Sequence, residues 1–234
     1  MGKQYSVFQK ITHQRQMSEA FILNAVLAFS GGFQDAYTYF VRDGVFANAQ
    51  TGNIVLMSMN LMSGKFYTAL HYFLPVAAFA AGVFASERAE FKFKKSEKLH
   101  WRQGVVALEM IILFAVGFLP TEINLLANSL VSFSCAMQVQ AFRKMGGNAF
   151  ASTMCIGNLK SGTTAISIFL RSGKKADLER GIRYFSIITI FALGAGFGGI
   201  ISNFLGIHSI WLSTSALLIA FILMHIDLER DEKL

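Results

Sequence analysis

The chain has 234 residues, of which 53% are hydrophobic and 15% are charged, and its excess of Lys and Arg over acidic residues gives a net charge of +7. This composition excludes a disordered, a collagen-like and an ordinary water-soluble protein. A basic chain can bind nucleic acid, but here Lys and Arg stand in short clusters beside apolar segments, as in the loops between transmembrane helices. We therefore expect an integral membrane protein that contacts the lipid bilayer and does not bind nucleic acid.

Six segments are long and apolar enough for membrane-spanning helices, which need about 20 residues at a rise of about 1.5 Å per residue. They are residues 20–40, 66–86, 104–119, 123–142, 182–204 and 207–225. Two further apolar segments, 51–62 and 156–170, would give helices of only about 18 and 22 Å, which is short of the hydrocarbon core of about 30 Å. The sequence thus predicts six spans and two short helices.

The placement of Lys and Arg indicates whether the short helices cross the membrane, because these residues accumulate in cytoplasmic loops. If both short helices enter and return on one side, most of the 21 basic residues lie on the cytoplasmic side; if both cross, the basic residues divide almost evenly. The sequence therefore predicts two re-entrant half-helices, the first entering from outside and the second from the cytoplasm. The expected location is the cell (cytoplasmic) membrane, as a multi-pass protein with both termini in the cytoplasm.

The two half-helices follow lead-ins that resemble each other. The first contains Phe46-Ala47 and Gly52-Asn53, and the second contains Phe150-Ala151 and Gly157-Asn158. The Phe-Ala pairs are 104 residues apart, as are Gln34 and Gln138, and Ser-Gly-Lys follows each half-helix at 63–65 and 172–174. These matches predict an internal repeat.

Each copy of the repeat reads as span, half-helix, span, span, so three crossings per copy turn the second copy upside down. We assign residues 1–18 to a cytoplasmic N-terminal segment, 19–119 to repeat 1 (re-entrant at 45–63), 120–226 to repeat 2 (re-entrant at 149–170) and 227–234 to a cytoplasmic tail. The predicted fold class is all-α transmembrane, with six spanning helices and two re-entrant half-helices in two inverted-topology 3+3 repeats. Such repeats with broken helices are typical of transporters, whose solutes bind near mid-membrane.

A helix that begins inside the bilayer leaves backbone N–H groups that need hydrogen-bond acceptors. Its positive end also favours anions or polar neutral solutes. The residues that we expect to line the pathway are Gln34, Asp35, Asn48, Gln50, Thr51, Gly52, Asn53, Gln138, Ser152, Thr153, Gly157, Asn158 and Lys160.

Three ionisable residues inside predicted spans are candidates for coupling transport to protons, because such groups are costly in a membrane. They are Asp35, Glu109 and His71. The alternative interpretation is structural: Asp35 caps a helix or pairs with Arg42, and Glu109 and His71 have partners at the membrane interface.

Two stretches carry a family resemblance: Gly31-Gly32-Phe33-Gln34-Asp35-Ala36-Tyr37-Thr38-Tyr39, and Val45-Phe46-Ala47-Asn48-Ala49-Gln50-Thr51-Gly52-Asn53. Together they resemble the YoaK-like family of bacterial integral membrane proteins, a domain of unknown function. The resemblance implies a six-span membrane protein, which agrees with the span count, and implies no substrate.

The sequence favours a transporter or channel for a small polar or anionic solute, and a homo-oligomer is possible. A non-transporting membrane scaffold or sensor is the alternative. An intramembrane enzyme is a further one, but the sequence has no HExxH, GxSxG or P-loop motif. Cys135 and Cys155 form no CxxC pair, so we expect buried thiols, no metal site and no cofactor.

Overall fold

The computed structural model describes residues 21–93, 101–145 and 148–231. Its helices are α1 (Phe21–Val41), α2 (Gln50–Met62), α3 (Phe66–Phe93), α4 (Trp101–Val116), α5 (Asn124–Ala141), α6 (Cys155–Ser172), α7 (Lys175–Leu205) and α8 (Ile210–Asp231). Strands β1 (Lys144–Met145) and β2 (Asn148–Ala149) pair in an antiparallel hairpin, and short 3-10 turns precede α5 and α8. The predicted cytoplasmic N-terminal segment and the end of the predicted tail lie outside the described residues.

The two short helices are present. Helix α2 has 13 residues and α6 has 18, which correspond to about 20 and 27 Å. Helices α3 and α7 run to 28 and 31 residues, beyond the predicted spans 66–86 and 182–204. The extra first turns of α7 are polar and carry ion pairs from Asp177 to Arg180 at 2.7 Å and from Glu179 to Arg183 at 4.0 Å. Because such pairs support a helix in water, the helix continues past its apolar part.

Apolar length alone marks two described segments as able to cross a membrane. They are α3 and the stretch Lys175–His225, which holds α7 and most of α8 on either side of a 3-10 turn. The other helices are shorter or carry more polar residues on the faces that they bury.

Helix packing follows a paired pattern. Helix α1 packs most extensively on α7, and α5 on α3; α2 packs on α3, and α6 on α7; α8 packs on α1, and α4 on α5. These six helix contacts form three equivalent pairs. Replacing α1 by α5, α2 by α6, α3 by α7 and α4 by α8, and the reverse, turns one contact of each pair into the other. The main core lies between α1, α4, α5 and α8 and includes Leu27, Val106, Val131 and Leu217.

Glycines allow the closest helix contacts. A Cβ at Gly194 of α7 would overlap the Phe29 carbonyl of α1, and a Cβ at Gly82 of α3 would overlap the Phe133 carbonyl of α5. Phe29 and Phe133 are 104 residues apart, the spacing of the sequence repeat. Gly198 packs against Phe33 one turn further on, so the Gly-x-x-x-Gly pair on α7 serves close helix approach.

The first helices of the two repeats run in opposite directions. Along α1 towards its end, Leu27 meets Gln138, then Gln34 meets Cys135, and Arg42 meets Asn128. The residue number of the contact on α5 therefore falls as the residue number on α1 rises, so these helices are antiparallel.

Arg42 closes one end of the bundle. Its guanidinium is fully buried and donates to the carbonyl oxygens of Val116, Leu119 and Pro120 at 3.0, 2.9 and 3.3 Å. The same group donates to the Asn124 side chain and to the Tyr37 hydroxyl. We call this region the Arg42 end of the bundle. The structure thus assigns Arg42 to the end of α4, and not to the pair with Asp35 considered from the sequence.

The opposite end is held by contacts between α3, α4 and α5. Arg143 pairs with Glu90 at 2.6 Å, and Arg102 donates to the Ala141 carbonyl at 2.9 Å. We call this region the Glu90 end. The ends of α3 and α5 and the start of α4 meet there.

Candidate functional site

The first half-helix begins against the middle of α1. The backbone N–H of Asn48 donates to the Asp35 carboxyl at 2.7 Å, and the Asn48 side-chain amide donates to the Gly31 carbonyl at 3.2 Å. The Asp35 carboxyl therefore faces the positive N-terminal end of α2. These contacts hold the first lead-in (residues 45–49) inside the bundle.

The second half-helix begins beside the same stretch of α1. Gly31 has no side chain, and a Cβ there would overlap the methyl group of Thr153. Ser152 accepts a hydrogen bond from Gln138 at 3.0 Å, and Cys155 lies close enough to Asp35 to interact electrostatically. The second lead-in (residues 148–154) therefore meets the first at Gly31.

Gln34 joins α1 to α4, α5 and α8. Its amide nitrogen lies 3.2 Å from Glu109, 3.0 Å from Ser30 and 3.1 Å from Ser213, all within hydrogen-bond distance. Its amide oxygen accepts from the Cys135 thiol at 2.6 Å.

We call the buried polar side chains in and beside these contacts the central polar cluster. Its members are Ser30, Gln34, Asp35, Asn48, Glu109, Cys135, Gln138, Ser152, Thr153 and Ser213, and none is more than 7% exposed. Several members pair at the repeat spacing of 104 residues: Gln34 with Gln138, Asn48 with Ser152, and Glu109 with Ser213. The cluster lies where α1, α4, α5 and α8 meet the two lead-ins.

Four buried oxygen atoms of the cluster have no hydrogen-bond partner in the structure. They are Asn48 Oδ1, Glu109 Oε2, Gln138 Oε1 and Thr153 Oγ1. Leaving a buried polar atom unpaired costs about 1 to 3 kcal/mol. A cluster with four such atoms is a place where a polar solute or water would be stabilised.

Other predicted pathway residues brace the lead-ins. The Asn53 side chain donates to the Phe46 carbonyl at 2.7 Å and accepts from the Phe46 N–H at 3.1 Å. Asn158 repeats the first contact with the Ala151 carbonyl at 2.8 Å, and Gln50 donates to the Ala47 carbonyl at 2.7 Å. These side chains fix the fold of the chain at the starts of α2 and α6 by bonding to the lead-ins that precede them.

The remaining predicted residues lie away from the cluster. Thr51, Gly157 and Lys160 are exposed, and Gly52 packs against the Phe46 ring. Lys160 borders an open groove of about 490 Å³ with Ile156, Leu159 and Thr163 among its lining residues. His71 is half-buried on α3 and contacts the Tyr72 ring.

The sequence analysis missed three members of the cluster. Ser30 and Ser213 resemble ordinary helix serines, and Cys135 was expected to be a buried thiol with no polar role. The 104-residue spacing relates Ser213 to Glu109 and was the signal available for finding it.

The cluster contains two carboxyl groups and no basic side chain. Within the described ranges, neither Asp35 nor Glu109 forms an ion pair with Lys or Arg. No three His, Cys, Asp or Glu side chains in that part of the chain are grouped to hold a metal ion.

The chain matches a known family and a curated relative. The model of the family described as "Protein of unknown function (DUF1275)" matches residues 23–223, which include the whole cluster. A Bacillus subtilis (strain 168) protein named UPF0700 transmembrane protein YoaK is 28% identical over 185 residues, covering 74% of this chain and 80% of that protein. No solved structure matches.

Proposed function

This chain belongs to the DUF1275 family and is a transmembrane protein, and from this premise we propose that it is a transporter or channel for a small polar solute. The family membership confirms the resemblance drawn from the sequence motifs. The observation that carries the proposal is the central polar cluster, with four unpartnered oxygens at the point where both half-helices begin. Buried polar groups within a membrane protein commonly mark a solute pathway.

We infer that the fold is an inverted repeat of two 3+3 units. The exchange of helix contacts between repeats and the antiparallel course of α1 and α5 support this layout. The contact of Arg42 with Pro120 supports it further. If α2 crossed the membrane, three crossings would separate these two residues and place them on opposite sides.

The proposed orientation follows from charge. The Glu90 end carries Arg88, Lys92, Arg102 and Arg143, so we assign it to the cytoplasm and the Arg42 end to the outside of the cell membrane. Arg42 does not bear on this assignment, because its buried guanidinium is hydrogen-bonded to carbonyl oxygens at the end of α4.

The proposed mechanism opens the cluster by releasing a lead-in. The Asp35 contact holds the first lead-in from the Arg42 end, and the Gln138 contact holds the second from the Glu90 end. With both contacts made, the cluster is closed from both sides. A carrier would break one contact at a time, which corresponds to alternating access around a fixed central site.

Transport is tested with purified protein in liposomes loaded and challenged with methylammonium, formate or urea. We expect flux of at least one probe, lowered about tenfold by Gln138→Leu, because the variant removes an oxygen and the Ser152 contact. Gln140→Leu, on the same helix outside the cluster, is the matched control and keeps wild-type flux. No flux of any probe through folded protein would contradict transport and favour the scaffold or sensor.

We also propose that the protein is not an enzyme. The Cys135 thiol donates to the Gln34 amide oxygen, and no hydrogen bond in the described parts of the chain joins it to a histidine. A thiol that is not paired with a histidine lacks the nucleophile and base arrangement typical of cysteine enzymes.

A further inference from the structure

We propose that the central polar cluster selects a small organic cation that carries N–H donors, an alkylammonium type of solute, over an anion. The inference rests on the proposed function and names its substrate class. It departs from the expectation drawn from the sequence, which favoured anions or polar neutral solutes.

The four unpartnered oxygens offer acceptors. The nitrogen of the Asn48 amide is bound to the Gly31 carbonyl, and the nitrogen of the Gln138 amide is directed to the Leu27 carbonyl at 3.5 Å and to Ser152. A carbonyl can only accept, so each amide keeps its oxygen as the unpartnered atom. Glu109 Oε2 is a third acceptor, and the Thr153 hydroxyl can act as a fourth.

The amide and thiol donors of the cluster are engaged, and the Thr153 hydroxyl can donate as well as accept. The Gln34 amide nitrogen faces oxygens of Glu109, Ser30 and Ser213, and the Cys135 thiol donates to the Gln34 oxygen. An anion entering the cluster would therefore meet mainly acceptor atoms. Burying a charge without opposite charge or donors is strongly unfavourable.

The positive groups near the cluster are also committed. The N-terminal end of α2 is met by the Asp35 carboxyl, which accepts from the Asn48 N–H at 2.7 Å. Arg42 binds three backbone carbonyls at its end of the bundle, and Lys160 is exposed on α6. The sequence-based expectation of an anion depended on the helix ends and on Lys160; Asp35 already meets the first of these ends, and Lys160 is exposed.

The carboxyl groups complete the recognition. Asp35 and Glu109 are both buried, and no basic side chain in the described ranges pairs with either. An ammonium group has N–H donors for the amide oxygens and a charge complementary to the carboxyls. We expect the ligand to be small, because the four residues that carry the unpartnered oxygens are all buried inside the bundle.

Binding is measured by isothermal calorimetry on the full chain in nanodiscs, with methylammonium chloride, sodium formate and urea as probes at equal ionic strength. We expect methylammonium to bind, and formate and urea to bind at least tenfold more weakly. Glu109→Gln should weaken methylammonium about tenfold, since it replaces one acceptor oxygen and removes the charge. Glu179→Gln, the same change at an exposed position of α7, is the matched control and should leave binding unchanged.

A second variant keeps the test decisive if Glu109→Gln fails to fold. Thr153→Val has nearly the same shape, removes one oxygen and should weaken methylammonium several-fold. Formate binding that depends on Gln138 would overturn the cation assignment and leave the transport proposal standing. Urea binding equal to methylammonium, or methylammonium binding unchanged in both variants, would also overturn it. Liposome flux separates these failures from a failure of transport, because an anion or neutral probe that still moves keeps the proposed function.

Discussion

Arg42 illustrates how a single buried side chain organises one end of the molecule. Its guanidinium binds three carbonyls at the end of α4, as well as the Asn124 side chain and the Tyr37 hydroxyl. A helix end leaves carbonyls without partners, and the planar guanidinium can satisfy several of them at once. Arg42 therefore links the first helix of repeat 1 to the junction between the repeats.

Replacing Arg42 by Lys should destabilise the protein. Lysine keeps the charge but cannot reproduce the forked set of contacts, so we expect a loss of about 3 kcal/mol in the free energy of unfolding. The measurement is reversible unfolding in mixed detergent micelles. Arg88→Lys, whose side chain is 65% exposed, is the control and should be close to neutral. Equal stability of the two variants would show that the Arg42 contacts contribute little.

Asn53 and Asn158 should contribute mainly to the stability of the fold, and less to solute selectivity. Asn53→Ala removes three hydrogen bonds at the start of α2, and we expect it to cost about 1 to 3 kcal/mol. Thermal unfolding followed by tryptophan fluorescence measures the change. Asn60→Ala is the control, because Asn60 bonds only the Leu56 carbonyl within its own helix. If Asn53→Ala unfolds at the wild-type temperature, the hydrogen bonds of the Asn53 side chain do not stabilise the protein.

At this scale the sequence predicts residue types better than their contacts. Gln34, Asp35, Asn48 and Gln138 were expected at the pathway and lie in the cluster, because polar residues inside apolar segments must find partners. The bracing role of Asn53 depends on how the lead-in folds back seven residues, which no local pattern shows.

Among the elements, the half-helices were predictable from the length of their apolar runs. Helix α2 begins and ends within one residue of the expected segment 51–62. Helix α6 is longer than expected, because polar and basic residues such as Arg171 extend it at its C-terminal end. The lead-in hairpin β1–β2 was not predicted, since two-residue strands leave no alternation to detect.

The helix crossings give a test at the scale of elements. Gly194→Val should disrupt the contact of α7 with α1, since its Cβ would overlap the Phe29 carbonyl. We expect a loss of about 1 to 3 kcal/mol or failure to fold. Gly196→Val is the control on the same helix, because a Cβ at Gly196 meets nothing within 4 Å.

The repeat extends this test. Gly82→Val should act like Gly194→Val, since Gly82 lies against the Phe133 carbonyl in the matching crossing of α3 and α5. The readout is the yield of monodisperse protein and its unfolding temperature. If Gly194→Val and Gly196→Val behave alike, close approach of the helices is not what the glycine provides.

At the scale of the whole molecule, the two halves of the chain share one polar interior. The matched helix contacts, the two lead-ins at Gly31 and the residue pairs 104 apart are what the proposed repeat would produce. In that proposal Glu109 corresponds to Ser213, so both carboxyl groups of the cluster lie in the first half of the chain. The spacing of 104 residues is visible in the sequence, but only the fold shows that Glu109 and Ser213 both contact Gln34.

The account depends most on the half-helices returning to the side from which they enter. The most direct test replaces Cys135 by Ala and Cys155 by Ser, and introduces single Cys residues at the exposed positions Asp43, Lys65, Lys144 and Ser172. Each variant is labelled with an impermeant thiol reagent added to intact cells or to inverted vesicles. We predict that positions 43 and 65 label from outside, and that 144 and 172 label from the cytoplasmic side. Labelling of 43 and 65 from opposite sides would contradict the re-entrant layout and the solute pathway built on it.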